Sequence, residues 1–210
     1  VSIPAQEVGG DFFNYFPMPG GTMALLIGDV SGKGLPAALL MANLQATIQA
    51  RLPLELDLVK LAEQLNCEIE ANNAEAYLTL FLAVLDPQSL RLRYINAGHN
   101  PPLLIRAASD VAEELEATGI AIGAMEDAPY TQQEIPLASG DLLVLYTDGV
   151  TEAVNDKDEM FEMPRLMDVI LASRSLAAAE IIDAIIRNVN EFSQNQPQYD
   201  DITLMVIKVK

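Results

Sequence analysis

Two strand-like apolar runs, AYLTLFLAVLD (76–86) and LRLRYINAG (90–98), are joined by Pro87-Gln88-Ser89-Leu90. Runs that close together form a hairpin, so the chain contains an antiparallel β-pair at its centre. Further runs extend the pattern. TMALLIGDV (22–30) and LLVLYTDG (142–149) read as buried strands ending in Gly-Asp and Asp-Gly, and PPLLIR (101–106) is another candidate. YTQQEIPL (130–137) alternates polar and apolar residues as a half-buried strand does, and ITLMVIKVK enters just after Asp200-Asp201. Helices are expected at AALLMANLQATIQA (37–50), 56–71, 162–173 and 177–193. Pro36 fits the first turn of the first of them, behind a turn punctuated by Gly32 and Gly34. The second presents Leu58, Leu61, Ala62, Leu65 and Ile69 on one face, with Cys67 on the apolar side. The acidic, glycine-punctuated segment 110–129 is expected to be irregular. Hairpin-joined strands with helices in pairs between them make an α+β chain of antiparallel sheets covered by helices, not a doubly wound parallel sheet. No linker or repeat divides it, so residues 1–210 are expected to form one domain.

Composition narrows the chemistry. Half of the residues are apolar, which excludes wholesale disorder. Twelve Lys and Arg against 30 Asp and Glu leave a net charge of −18, too acidic for a nucleic-acid surface. A single cysteine, Cys67, excludes a disulfide framework and a Cys-rich zinc site. A single histidine, His99, excludes HExxH zinc chemistry and is expected to hold the NAGHNPP turn through a ring-to-backbone hydrogen bond. Any bound metal must therefore have oxygen ligands, which points to Mg²⁺, Mn²⁺ or Ca²⁺. No apolar run approaches the length of a bilayer and no signal segment opens the chain. We read it as a cytoplasmic domain, without membrane insertion, excised from a longer protein.

Four aspartates fall at the ends of apolar runs: Asp11 after Gly9-Gly10, Asp29, Asp148 and Asp200. Taken singly, each is an ordinary turn residue. Gathered in one cleft, they would repel one another and call for divalent cations. The nearby GDVSGKGLPAA is not a P-loop, because the glycine spacing is short by one and Gly34 stands where Ser or Thr would hold Mg²⁺. It satisfies GxGxxA, yet lacks the second parallel strand and acid of a dinucleotide fold.

VGGDFF (8–13), GDVSGKGLPAALLMA (28–42), NAGHNPPLL (96–104), YTDGVTEA (146–153) and DDITLMVIK (200–208) together resemble the PPM phosphatases, in their SpoIIE/RsbU-like bacterial branch. The resemblance spans nearly the whole chain. It implies a four-layer αββα sandwich, with two antiparallel sheets face to face and helix pairs outside. It implies a protein serine/threonine phosphatase with two divalent cations, Mn²⁺ or Mg²⁺. Asp29 would bridge both; Asp148 and Asp200 would complete one ion, and Asp11 with the Val30 carbonyl the other. Glu152 matches a position that joins a weaker third ion. A water shared by the ions would attack phosphorus in line, with Asp29 and Asp148 as the catalytic carboxylates. Lys33, between glycines at a helix start, is a candidate for holding phosphate. Asp201 is the less favoured ligand beside Asp200. The implied substrate is a phosphorylated STAS-type anti-sigma-factor antagonist, with an upstream sensor domain or activator and a homodimer in the full-length form. Two departures stand out: Val30-Ser31 replaces the histidine many relatives carry after the bridging acid, and no arginine lies near Asp11. The rival expectation is a non-catalytic, pseudophosphatase-type binding module.

Overall fold

The computed structural model describes residues 1–72, 76–109, 111–194 and 196–210. In chain order the elements are β1 (Ser2–Ile3), β2 (Asp11–Pro17), β3 (Met23–Val30), α1 (Leu35–Arg51), α2 (Leu58–Asn72), β4 (Leu78–Asp86) and β5 (Arg91–Ala97). They continue with β6 (Leu103–Ile105), β7 (Ala112–Glu114), β8 (Gln133–Pro136), β9 (Leu142–Tyr146), α3 (Asp148–Thr151), α4 (Glu162–Ser173), α5 (Ala178–Ser193) and β10 (Ile202–Lys208). Strands pair antiparallel into two sheets of five, ordered β2-β3-β4-β5-β8 and β1-β10-β9-β6-β7.

The period-two alternation of the strands explains how these sheets stack. From β3 and β4, Ala24, Leu26, Leu80 and Leu82 join α1 and α2 in one buried cluster. The alternate residues Leu25, Ile27, Phe81 and Ala83 meet Leu104, Leu143, Leu145 and Met205 of the other sheet in a second cluster. On the far side, Leu103, Val144, Tyr146 and Leu204 pack against Leu166 and Ile170 of α4 and Ile181, Ile185 and Val189 of α5. Three apolar interfaces therefore separate four layers, helices outside and sheets face to face. The α+β sandwich expected from the sequence is the fold observed.

Local departures have simple causes. Residues 112–114, expected to be irregular, form the strand β7 on the edge of a sheet; Asp110, the first residue of that segment, lies outside the described residues. The strand expected through Asp148 stops at Tyr146, and Asp148 opens the short helix α3. The terminal strand β10 starts at Ile202, just after Asp200-Asp201 as expected. Cys67 is exposed, contrary to its expected place on the apolar side of α2. It follows Leu65 by two residues, which is about 200° around a helix. Among the described residues no helix is long and apolar enough to cross a membrane.

Candidate active site

The same alternation that builds the middle of the sandwich delivers acids to its end. On β3, Leu25 and Ile27 face the opposite sheet, and Asp29 is next in that series. On β2, Phe12 and Phe16 belong to the helix side, so Asp11 belongs with Phe13, which packs against the inter-sheet core. Asp11 and Asp29 are direct cross-strand partners in the β2–β3 register. From the other sheet, Thr147 continues the Leu143, Leu145 series, while Thr203 and Asp201 continue that of Met205. The dry interface thus gives way to a polar cluster drawn from both sheets.

Hydrogen bonds tie the cluster together. Thr147 Oγ1 donates to Asp11 Oδ2 at 2.7 Å and accepts from the Thr203 backbone N–H at 2.9 Å. The buried Asp201 carboxylate accepts from the backbone N–H of Ala5 at 2.8 Å and of Asp11 at 3.4 Å. Asp201 is therefore committed to holding the N-terminal segment. Asp200, half-exposed, accepts from Lys33 Nζ at 2.9 Å, and the same ammonium donates to the Tyr199 carbonyl at 2.6 Å. Asp148 sits at the first position of α3, with Glu152 exposed one turn on, its N–H donating to the Asp148 carbonyl. Close approach requires two of the glycines. A Cβ on Gly10 would lie 2.7 Å from the Val30 carbonyl and 3.3 Å from Asp29 Oδ1, and one on Gly149 would collide with the Asp201 carbonyl.

Crowded, partly buried carboxylates resist ionisation. Burial, with added repulsion from Asp29 and Asp201, pushes Asp11 up to about 8, against the pull of the Thr147 hydroxyl. Burial and the charges of Asp148, Asp200 and Asp201 raise Asp29 to about 7, while Lys33 acts the other way. Asp148 is raised by burial and then by Asp200; Glu152 is raised by burial and then by Asp148 and Asp200. Asp11, Asp29, Asp148, Asp200 and Glu152 thus share one electrostatic neighbourhood, with Lys33 as its cation.

The donor set is all oxygen and suits a hard divalent ion, whose charge would relieve the repulsion that holds these protons on. The arrangement is not ready-made: among the described residues no three His, Cys, Asp or Glu side chains form a group that could hold an ion. Asp11 is engaged with Thr147 and Asp200 with Lys33. Ion binding there requires these side chains to turn.

His99 is buried and is tied to Thr79, the cross-strand partner of Asp29. Its Nδ1 pairs with Thr79 Oγ1 at 2.8 Å, and its backbone N–H donates to Asn96 Oδ1 at 2.8 Å. The turn is thus held by the Asn96 side chain, not by the expected ring-to-backbone bond. Nε2 is buried without a hydrogen-bond partner among the described residues, and burial lowers the ring to about 4 against a smaller opposite pull from the Tyr146 backbone. Thr147 and Thr203 were not anticipated from the sequence; counting alternate residues back from Met205 and on from Leu145 would have found both.

The sequence model of the family described as Stage II sporulation protein E (SpoIIE) matches residues 19–210. Phosphoserine phosphatase RsbU of Bacillus subtilis (strain 168) is 29% identical over 211 residues, 100% of this chain and 62% of RsbU. The chain spans between 37% and 62% of the length of the first curated relatives it matches. Among solved structures, the SiaA-PP2C domain of Pseudomonas aeruginosa superposes with a TM-score of 0.87 at 23% identity, covering 100% of this chain and 85% of that one. RsbX, solved in complex with magnesium, superposes with a TM-score of 0.75 at 13% identity, covering 100% of this chain and 93% of RsbX. At these identities the structural likeness is one of fold.

Proposed function

The chain belongs to the SpoIIE family, in the SpoIIE/RsbU-like branch of the PPM phosphatases, and from that premise we propose that it hydrolyses phosphoserine or phosphothreonine on a regulatory protein. The observation that carries this reading is the cluster itself: five carboxylates at the mouth of the sandwich, four of them with raised pKa values, facing one lysine. Asp29, central to the cluster, would sit between two divalent cations, Mn²⁺ or Mg²⁺. Asp148 and Asp200 would hold one and Asp11 with the Val30 carbonyl the other, with Glu152 near a weaker third. The ions would supply Lewis acidity at the phosphoryl group and a more acidic water. Thr147 holds the Asp11 carboxylate until it turns to an ion, and Asp201 pins the backbone on which Asp11 is carried. Lys33, on leaving Asp200, brings a positive charge to the phosphoryl oxygens. The proposed substrate is a phosphorylated STAS-type anti-sigma-factor antagonist in the cytoplasm; the name of the relative RsbU, a phosphoserine phosphatase, supports the phosphoserine part of this reading. An upstream sensor and a homodimer belong to the same reading.

Hydrolysis of p-nitrophenyl phosphate with EDTA, Mg²⁺ and Mn²⁺ tests it on the wild type and Asp148→Ala. Metal-dependent release that is lost in the variant is expected. No release from aryl phosphate or phosphopeptide, with no Mn²⁺ binding by calorimetry, would sink the proposal.

A second reading, a non-catalytic binding module, draws on the absence among the described residues of three donors that converge. Asp29→Ala separates the two: an enzyme loses turnover and keeps its fold, whereas a module binds its partner as before.

A further inference from the structure

Beside the acid cluster lies a cavity of about 100 Å³ that the phosphatase reading leaves without a role. One side is the C-terminal turn of α5, with Val189 and Ser193; the other is the segment running from Pro197 to Ile202. Val154 and Ala153, beyond α3, complete a largely apolar lining. Glu152 and Asp200 belong both to this cavity and to the acid cluster, so the two spaces share a border.

The walls are fixed by the chain's own hydrogen bonds. Gln194, with a left-handed φ of 48°, ends α5, and its N–H donates to the Asn190 carbonyl at 3.2 Å. The Gln196 N–H donates to the Ser193 carbonyl at 2.8 Å. Gln198 Nε2 donates to the carbonyls of Ile3 and Asp200, each at 2.8 Å, anchoring the outer wall to β1 and to the acid cluster. The cavity is thus already shaped.

We propose that this cavity is a specificity pocket that receives an aliphatic side chain of a phosphoprotein substrate, within two residues of the phosphorylated serine or threonine. The inference rests on the phosphatase reading and deepens it. Three observations select the occupant. The volume suits a side chain of about leucine size and not a second folded element. The lining is mainly apolar, so burial of aliphatic carbon is favourable. No lysine or arginine lines it, while Glu152 and Asp200 stand at its border, which disfavours an acidic neighbour. Free phosphoserine has no flanking side chain to offer.

The test is kinetic, with phosphoseryl peptides of glycine background in which one leucine is moved through the two positions on either side of the phosphoserine. Parallel turnover of p-nitrophenyl phosphate reports on the acid cluster alone. In the wild type, leucine at one position should raise kcat/KM by about tenfold or more over the all-glycine peptide, and aspartate there should lower it. Filling the cavity from its rim with Ser193→Phe, or with Asn190→Phe where the first does not fold, should reduce that preference to about twofold. Equal kcat/KM at every leucine position in the wild type would overturn the pocket, as would a preference that survives both filled variants. Failure of the wild type to turn over p-nitrophenyl phosphate would instead overturn the phosphatase reading beneath it.

Discussion

The strand β9 carries a buried aspartate just ahead of one end and an acid cluster just beyond the other, and the two ends are built on opposite principles. At the first end, Asp141 is 1% exposed and surrounded by donors. Its carboxylate accepts from Arg106 Nη1 at 3.0 Å and from the backbone N–H groups of Ala107 at 3.0 Å and Ala138 at 2.9 Å. Arg106 also pairs with Glu113 at 2.8 Å, closing a network that stitches β6, β7 and β9. At the second end, Asp11 is nearly as buried but faces Asp29 and Asp201, with the Thr147 hydroxyl as its main donor. A buried carboxylate that is fully partnered is architecture. Carboxylates buried against one another are costly to ionise, and on that cost the proposed cation site rests.

Truncating Asp141 should have the largest effect on stability. Asp141→Ala leaves the Ala107 and Ala138 N–H groups without their acceptor and takes one of the partners of Arg106, which keeps Glu113, and should cost about 2 to 4 kcal/mol in urea unfolding. Turnover per folded molecule should stay within about twofold. A loss of turnover without a loss of stability would erase the contrast.

Next comes the pH response of the metal-free protein. His99, lowered to about 4, adds stability as pH rises toward 6.5 and nothing above it. Asp11 and Asp29, raised to about 8 and 7, act with the opposite sign. Between pH 4 and 8 the folded carboxyls hold protons that the unfolded chain has already released, so raising pH favours unfolding. From pH 6.5 to 8 this second effect outweighs the smaller opposite one of the Val1 amino group, which burial lowers from its usual value. Stability should fall there by about 2 kcal/mol, and saturating Mg²⁺ should remove the slope. A flat profile without metal would show that the acids do not repel as placed.

The smallest effect is expected at Lys33, whose ion pair with Asp200 is about half-exposed. Lys33→Gln frees Asp200 for a cation, and Mn²⁺ binding by calorimetry should tighten about two- to fivefold. Weaker binding would make Lys33 a support of the cation site rather than its competitor.

What could be read from the sequence was whatever repeated itself along the chain. The hairpin β4–β5 and the helices α4 and α5 carry enough periodic apolar residues to be placed within a residue or two. The edge strand β7, Ala112-Glu113-Glu114, is paired on one side only and has no apolar face, so its composition reads as loop. The strand β2 went unread too: Phe12 and Phe16 are buried while Tyr15 is 61% exposed, a mixed pattern on an outer strand. At the site, the acids stood out as residues that end apolar runs, which is a local signal. The division of labour between Asp200, turned to Lys33, and Asp201, turned to the N-terminal segment, depends on contacts across the whole chain. No local pattern encodes those. The pairing of Thr147 with Asp11, 136 residues apart, was hidden for the same reason.

The bonds from Asp201 to Ala5 and Asp11 join the two extremities of the sequence, and β1 pairs with β10 beside them. Asp11 leaves a ribosome 190 residues before Asp201. Until that moment β2 lacks the anchor for its first residue, and the acid cluster lacks Asp200 and the strand β10 that pairs with β9. A chain that stops short of Asp200 and Asp201 therefore cannot assemble the full cluster. The price of so late a closure is slow folding, since contacts between distant segments are the last to repay their entropy.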